Sequence, residues 1–402
     1  MNLITPNRKT GANGQAHASA TIAFDTWCLG GYARNQGVHV YANELLSHFR
    51  EMGPRYGIDV RPYVSAGIDN RANAFVAAPG FQPCSTGLLK FSRLWRYGGA
   101  CTLASLQGVD LVFSPNYTSL YVEKFAPSVV TIHDVIPLVC DWGPRRISEI
   151  LRFFMWWSAK MSRAIITVSQ YSKADLLNAY GMPESKVVVV YNGYDKQIFN
   201  CLVPDPALLR RLLRRLGVAR PYILHHGVIK PNKNLKRLIH AFGALLERNK
   251  NLDLDLVLAG PFGWAYEEVL AAASLGPGNV VFTGPLSDGE LGMLVKGASL
   301  CVIPSLYEGF CLPMVEAMAC GIPTIASNVS CLPEISGGVL RYFNPQSEEE
   351  MSALMEEVLE NSDLQKELSE KGSARANQFD WQRCAEETLT VLAKFAHNQL
   401  RS

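Results

Sequence analysis

Two carboxylates lie eight residues apart in the apolar segment SLYEGFCLPMVEAMACGIPTIAS, at Glu308 and Glu316. The pattern predicts a strand end, a loop that contains Glu308, and a helix with Pro313 near its first turn. Free backbone N–H groups at a helix N-terminus form an anion site that suits a diphosphate. Glu316, about one turn inside the helix, could accept hydrogen bonds from two vicinal hydroxyl groups, as a ribose offers.

Three further segments place polar or permissive residues after a strand. Lys233 and Asn234 follow one in HHGVIKPNKNLKRLIHAF, and His133 follows one in SVVTIHDVIPL. A histidine at a strand end is also common as a packed core residue. Gly37 in CLGGYARNQGVHVYANELL starts a predicted helix, where a glycine would let a backbone N–H approach a phosphate or a sugar.

Short apolar strands alternate with longer helical patterns along most of the chain. This alternation determines where the candidate site residues lie in the fold. One such series ends near KVVVVYNG and a second begins at PYILHHGV, after a charged helical segment. We therefore predict an α/β fold of two doubly wound parallel sheets joined near residues 195–220. Ligands of such sheets bind beyond the carboxyl ends of the strands, so the cleft between the sheets is the expected site.

Composition narrows the class of protein. The 402 residues are 48% hydrophobic and 18% charged, as in globular proteins of two domains, and the net charge is +2. The ten cysteines form no C-x-x-C pair and no signal peptide is evident, so we predict a reducing, cytoplasmic location. No nucleic-acid partner is predicted. No G-x-G-x-x-G follows a first strand, which argues against a nicotinamide enzyme.

The segment E-G-F-x-L-P-x-x-E-A-M-A-x-G-x-P, from Glu308, resembles the E-x7-E signature of the retaining family 4 glycosyltransferases. These enzymes have the GT-B fold of two Rossmann-like domains, and the resemblance extends over most of the chain. It implies that Glu316 holds the nucleotide ribose and that Glu308 lies by the donor sugar. It also implies that Lys233 binds the donor diphosphate and that His133 lies near the outer hydroxyls of the sugar.

The same resemblance implies the role of each domain and the residues of the site. We predict a flexible tail over 1–18, an acceptor domain over 19–200 and a linker helix over 201–220. A nucleotide-sugar domain over 221–380 and a last helix over 381–402, which crosses back to the first domain, complete the chain. His133, Glu308 and Lys233 are the predicted catalytic residues. The predicted donor-binding residues are Gly37, Lys233, Gly309, Phe310, Cys311, Leu312 and Glu316.

The implied activity is transfer of a hexose from a nucleoside diphosphate to a hydroxyl of an oligosaccharide, with retention. Bacterial mannosyltransferases that use GDP-mannose in O-antigen or exopolysaccharide assembly are the nearest resemblance. A UDP-sugar-dependent enzyme and an inactive glycan-binding protein of the same fold are the alternatives. No metal is expected: Asp253 and Asp255 in LDLDLVLAG start a strand, so we interpret them as a solvated strand entry.

The acceptor of such an enzyme is often linked to a lipid. The segment GPRRISEILRFFMWWSAKMSRA predicts a basic and aromatic helix that could contact an anionic membrane from the cytoplasmic side. The competing interpretation, which we prefer from the sequence, is a core helix with Trp156 and Trp157 packed inside.

Overall fold

The computed structural model describes residues 20–29, 37–64, 84–85, 108–118, 120–123, 127–140 and 145–397. The predicted tail over 1–18 lies outside these residues. The strands are β1 (Ala20–Asp25), β2 (Ile58–Val64), β3 (Cys84–Ser85), β4 (Leu111–Ser114), β5 (Ser128–Thr131), β6 (Ala164–Thr167), β7 (Val187–Val189), β8 (Tyr222–His226), β9 (Asp255–Ala259), β10 (Asn279–Gly284), β11 (Leu300–Ile303), β12 (Thr324–Ser327) and β13 (Arg341–Phe343).

Helices alternate with these strands, and shorter turns complete the connections. The helices are α1 (Gly37–Met52), α2 (Ile136–Val139), α3 (Arg145–Met161), α4 (Gln170–Tyr180), α5 (Pro206–Leu216), α6 (Leu235–Arg248), α7 (Glu267–Leu275), α8 (Asp288–Lys296), α9 (Leu312–Ala319), α10 (Leu332–Ser336), α11 (Glu348–Glu360), α12 (Ser362–Ala376) and α13 (Trp381–His397).

The described strands form two parallel sheets. The first has the order β3-β2-β1-β4-β5-β6-β7 and the second the order β10-β9-β8-β11-β12-β13. In each sheet the strand order reverses beside its first strand, which creates the crevice where doubly wound folds bind ligands. The predicted architecture of two Rossmann-like sheets is confirmed.

Each sheet is buried by helices because its strands are apolar on both faces. Residues of β4, β5 and β6 are all buried, and so are those of β8, β9 and β11. Apolar runs without alternation are the mark of parallel strands that are covered on both sides. This regular pattern is why the sequence alone predicts the fold.

Two helices connect or flank the sheets. The α5 helix lies within the predicted linker and packs against α8, with Leu212 buried and Leu209 near Gly297. The α13 helix packs against α1 and the first sheet, where Trp381 and Leu389 join its core. The last described helix therefore completes the hydrophobic core around β1, although it follows the whole second sheet in the chain.

The α3 helix differs from the preferred sequence interpretation. Trp157 is partly buried and donates a hydrogen bond from Nε1 to the Tyr121 carbonyl. Trp156 is instead 43% exposed, and Phe153 is 47% exposed on the same helix. The prediction that both tryptophans pack inside is therefore wrong for Trp156. The helices in the described part of the chain include none with the length and hydropathy needed to cross a membrane.

Candidate active site

The loop after β11 carries the first glutamate of the signature. The strand ends at Ile303, and the chain passes through Glu308 to the start of α9 at Leu312. Cys311 precedes the helix with a φ of 69°, in the left-handed region that favours glycine. Pro313 occupies the first turn, where its missing N–H costs no helix hydrogen bond. The partial positive charge of the α9 N-terminus therefore lies immediately behind the loop.

Lys233 and Glu308 form a buried ion pair between two loops. Lys233 Nζ lies 2.6 Å from Glu308 Oε1, and the side chains are only 8% and 10% exposed. Desolvation, the largest single cause, acts to lower the pKa of Lys233, but the charge and hydrogen bond of Glu308 together with two nearby cysteines outweigh it, so the pKa is raised. The lysine is therefore a cation in the turn between β8 and α6.

Two asparagines hold the lysine loop against the glutamate loop. The Asn232 side chain donates from Nδ2 to the Tyr307 carbonyl at 3.0 Å, and its backbone carbonyl accepts from the Leu306 N–H at 2.8 Å. Asn234, at a φ of 57°, donates from Nδ2 to the Pro304 carbonyl at 3.1 Å. These bonds satisfy buried backbone groups and fix the two loops together. The role of Asn232 was not predicted from the sequence, since a single asparagine in a turn is a weak signal.

The second glutamate of the signature contacts a histidine of β8. Glu316 Oε2 lies 2.9 Å from His226 Nε2. His225, the preceding residue, uses Nδ1 to contact the Val302 carbonyl at 3.0 Å, and burial lowers its pKa to about 3. Both histidines lie at the end of β8, and the contact of His226 with Glu316 was not predicted from the sequence. Metal-binding clusters are absent among the described residues.

His133 lies at the end of β5 in the first sheet. Its Nε2 is 2.9 Å from the Pro115 carbonyl, and its ring packs edge-on against Tyr41 at 4.7 Å between centroids. Desolvation lowers the pKa of His133 to about 4, so the imidazole is neutral near pH 7. Asp134 accepts a hydrogen bond from the Ile136 N–H at 2.9 Å and so orients the turn that follows His133.

The two sheets bring their loops into direct contact at Gly309. A Cβ atom at Gly309 would lie 2.1 Å from the His133 carbonyl oxygen and 3.1 Å from Asp134 Cβ. A Cβ atom at Gly37, the first residue of α1, would lie 3.8 Å from Leu312 Cδ1. The glycines therefore allow the first domain to approach the start of α9 closely. The residues 30–36 that precede Gly37 lie outside the described part of the chain.

Lys230 adds a second cation to the same region. Burial is the main cause of its lowered pKa, and the charge of Lys233 adds to it, while Glu308 and Asp134 oppose it. Its Nζ also lies 5.5 Å from the centroid of the Trp264 ring. Lys230, Lys233 and the N-terminus of α9 therefore lie near the carboxylates of Glu308 and Asp134.

Phe310 contributes to packing through its side chain. It is 4% exposed and its ring lies 5.2 Å from that of Phe379, edge-on. The Cys311 side chain is also buried, at 6% exposure, and burial raises its pKa to about 12. The burial of these two side chains leaves their backbone groups for the predicted contact with a donor.

The D-x-D letters lie away from this site. Asp253 is solvated, with a side chain that is 80% exposed. Asp255 is fully buried and accepts hydrogen bonds from the Ala219 and Arg220 N–H groups at 2.9 and 3.2 Å and from Asn279. The interpretation as a solvated strand entry is therefore wrong for Asp255, which instead ties β9 to the segment before β8.

Two further contacts join the domains beside the site. The Glu334 carboxylate of α10 accepts hydrogen bonds from the Gln170 and Tyr171 N–H groups of α4, at 2.7 and 2.8 Å. Tyr307 donates to Asp175 Oδ2 at 2.5 Å. Glu334 thus caps a helix of the other domain. Sequence reasoning missed this contact because about 160 residues separate the partners.

Two family models match this chain on successive halves. The description "Glycosyltransferase Family 4" matches residues 35–198, and "Glycosyl transferases group 1" matches residues 215–375. Together they cover the first sheet from β2 onward and the whole second sheet, and they include His133, Lys233, Glu308 and Glu316.

The chain is also similar to several curated proteins. It is 28% identical over 273 residues to the O-antigen chain mannosyltransferase B of Escherichia coli. The aligned region covers 67% of this chain and 71% of that protein. It is 32% identical over 283 residues to the MMP alpha-(1->4)-mannosyltransferase of Mycolicibacterium hassiacum. This alignment covers 67% of this chain and 65% of that protein. A match to the serotype-specific mannosyltransferase WbdA of Escherichia coli, at 29% identity, spans only 32% of that longer protein.

Solved structures share the fold over nearly the whole chain. The structure of Anabaena HepE in complex with UDP and glucose aligns with a TM-score of 0.71 at 18% identity, covering 93% of this chain and 100% of HepE. WaaG, a glycosyltransferase involved in lipopolysaccharide biosynthesis, aligns with a TM-score of 0.66 at 16% identity, covering 92% and 99%. At these identities the likeness establishes the fold alone.

Proposed function

Because this chain belongs to the family 4 glycosyltransferases and has the GT-B fold, we propose that it transfers a hexose from a nucleoside diphosphate with retention. The acceptor is a hydroxyl of an oligosaccharide in surface polysaccharide synthesis. The observation that carries the proposal is the convergence of Lys233, Glu308, Glu316 and His133 where the loops of the two sheets meet.

Each group in the cleft suits one part of the donor. The cations of Lys233 and Lys230 and the N-terminus of α9 would hold the diphosphate. The partly exposed carboxylate of Glu316 would accept the ribose hydroxyls. The hexose would then lie between Glu308 and His133, which approach the cleft from opposite domains.

The reaction would proceed on one face of the sugar. The bond from the anomeric carbon to the diphosphate oxygen breaks, and a bond to the acceptor oxygen forms on the same face. The proton of the acceptor hydroxyl passes to the departing diphosphate, so no covalent intermediate is required. Lys233 would stabilise the negative charge that develops, since its ammonium has three N–H donors and can contact a phosphate oxygen without releasing Glu308. With these cations in place, the proposed mechanism requires no metal.

Mannose from GDP-mannose is the proposed donor. The similar curated proteins from Escherichia coli and Mycolicibacterium hassiacum are named as mannosyltransferases, which supports mannose. The structural likeness to HepE in complex with UDP and glucose favours a UDP-sugar as the second candidate.

A screen of sugar nucleotides for thermal protection tests the proposal. A ligand at 100 times its dissociation constant stabilises a folded protein by about 2.7 kcal/mol, which raises the melting temperature measurably. We expect GDP-mannose and GDP to protect more than UDP-sugars. Hydrolysis of the same sugar nucleotides separates an enzyme from an inactive glycan-binding protein, which would show no turnover. Protection by no nucleoside diphosphate would contradict the proposal.

Glu316→Ala should mainly raise the KM for the donor. The carboxylate would bind the ribose both before and during the reaction, so its loss weakens the ground state and the transition state alike. Loss of a single hydrogen bond to a charged group should raise the donor KM by roughly tenfold or more. Steady-state kinetics and calorimetric titration of the diphosphate measure the effect. An unchanged donor KM would remove Glu316 from the donor site.

The exposed face of α3 supports a peripheral position on the cytoplasmic face of a membrane. Phe153, Trp156, Ile147 and Ile150 are each at least 40% exposed, and all lie on this amphipathic helix. Lys160 Nζ lies 5.7 Å from the Trp156 ring centroid, so a cation accompanies the aromatic surface. Such a face suits a surface with anionic headgroups, where a lipid-linked acceptor would be found.

Replacing both Phe153 and Trp156 with serine should weaken binding to vesicles that contain phosphatidylglycerol by roughly tenfold or more, because apolar area no longer enters the interface. Leu275→Ser, at a position 87% exposed on the second domain, is the matched control and should bind like the unaltered protein. Binding is measured by co-sedimentation over a salt titration. Absent or salt-insensitive binding of the unaltered protein would contradict the membrane proposal.

A further inference from the structure

The carboxylate of Glu316 rests against a buried histidine with no role so far. His226 Nε2 lies 2.9 Å from Glu316 Oε2, and the side chains are 2% and 18% exposed. An ionised carboxylate only accepts hydrogen bonds, so Nε2 carries the proton. Nδ1 of His226 is buried and has no hydrogen-bond partner among the described residues. Among the described residues, the imidazole ring therefore has a single polar partner, Glu316.

The position of His226 is set by the sheet. It is the last residue of β8 and pairs with Ala259 of β9 in the parallel ladder. The next N–H, of Gly227, donates to the Ala259 carbonyl at 2.8 Å, and Gly227 has a φ of 129° that side chains rarely allow. The imidazole is thus fixed to the backbone of the second sheet, whereas Glu316 projects from α9.

The other oxygen of Glu316 is available. Within the described residues Oε1 accepts no hydrogen bond, and the side chain retains its exposed fraction. A glutamate has three rotatable side-chain bonds and loses entropy when a ligand fixes it. A charge-assisted bond from His226 to Oε2 removes much of that freedom before a ligand arrives.

We propose that His226 is a positioning residue that holds Oε2 of Glu316, so that Oε1 faces the ribose hydroxyls of a nucleoside diphosphate. This inference rests on the proposed function. It assigns discrimination between ribose and deoxyribose to the pair of His226 and Glu316, and it predicts that His226 acts on binding through Glu316 alone.

His225 provides a matched control. It is the neighbouring histidine of β8 and is equally buried, at 1% exposure. Its Nδ1 contacts the Val302 carbonyl at 3.0 Å instead of a carboxylate. Successive side chains of a strand point to opposite faces, so His225→Ala disturbs the core without touching Glu316.

The experiment is calorimetric titration of GDP and UDP, then of the 2′-deoxy and 3′-deoxy forms of the tighter nucleotide. His226→Ala should weaken the ribonucleotide about tenfold while changing the affinity of the form that lacks the recognised hydroxyl by less than about twofold. His226→Gln, which retains a side-chain N–H, should restore most of the loss. His225→Ala should lower the melting temperature and leave the ribose preference unchanged.

A double variant tests the coupling. Once Glu316→Ala has removed the carboxylate, adding His226→Ala should cost almost no further affinity. An additive loss, or an equal loss for ribonucleotide and deoxynucleotide, would show a structural role only and overturn the inference. Should His226→Ala fail to fold, His226→Gln decides: it must keep the ribose preference that Glu316→Ala loses.

The inference and the proposed function fail in different ways. Unaltered protein that binds neither GDP nor UDP would contradict the proposed function and remove the basis of the inference. Unaltered protein that binds with a ribose preference, together with a His226→Ala variant that keeps that preference, would contradict the inference alone.

Discussion

Lys233→Ala is expected to lower kcat by about a hundredfold or more, on the scale seen when a preorganised electrostatic group is removed from an active site. Lys233 Nζ lies 2.6 Å from Glu308 Oε1 where the loops meet, so it is fixed before the donor binds. Its charge would matter most as the diphosphate departs, and the donor KM should change less than kcat. Steady-state kinetics with the donor identified by the thermal screen provide the measurement.

The same substitution should also destabilise the protein. It leaves the Glu308 carboxylate buried without its cation, and breaking a buried pair costs about 3–5 kcal/mol. Adding Glu308→Ala should recover part of the stability without recovering activity, because the unpaired charge is gone but the cation is still missing. Kinetics are therefore measured at a temperature where each variant is folded. A folded Lys233→Ala enzyme with unaltered kcat would contradict the proposal that Lys233 stabilises the departing diphosphate.

Gly309→Ala is expected to lower kcat by about a hundredfold, since displacements of about 1 Å can cost that much in a preorganised site. The added Cβ would lie 2.1 Å from the His133 carbonyl oxygen, which belongs to the other domain. Separation of the domains relieves this clash, so the fold of each domain and the affinity for a free nucleoside diphosphate should change little. Kinetics, calorimetry and thermal melting together distinguish these effects.

Gly289→Ala is the matched control for this substitution. A Cβ at Gly289 meets nothing within 4 Å, and the residue lies in α8, where alanine favours the helix. That variant should keep full activity. If Gly309→Ala were as active as Gly289→Ala, close contact between Gly309 and His133 would not belong to the active arrangement.

The fold was predictable because its signal is local. Parallel strands that are buried on both faces appear as short apolar runs, and each helix follows with its own period, as from β8 to α6. The segment around Glu308 and Glu316 was predictable for a related reason, since strand, loop, proline and helix follow each other directly. The boundaries of such elements need no information from distant parts of the chain.

The contacts that the sequence did not predict are long-range or depend on orientation. His226 and Glu316 are 90 residues apart, and only the sheet order places β8 beside β11. Asp255 looked like a solvated residue, but the segment before β8 folds over it and buries it. Trp156 and Trp157 are adjacent on α3, so one faces the protein and the other does not, which an aromatic pair in a sequence cannot indicate.

We propose transfer of a hexose from a nucleoside diphosphate, with retention, at the site of Lys233 and Glu316. Its most direct test is proton NMR of sugar release from GDP-mannose, with UDP-sugars alongside, by the unaltered protein and by Lys233→Ala. We expect the unaltered protein to release mannose first as the anomer that the donor carries, and Lys233→Ala to be about a hundredfold slower. Release of the opposite anomer, or equal rates for the two proteins, would contradict retaining transfer at this site.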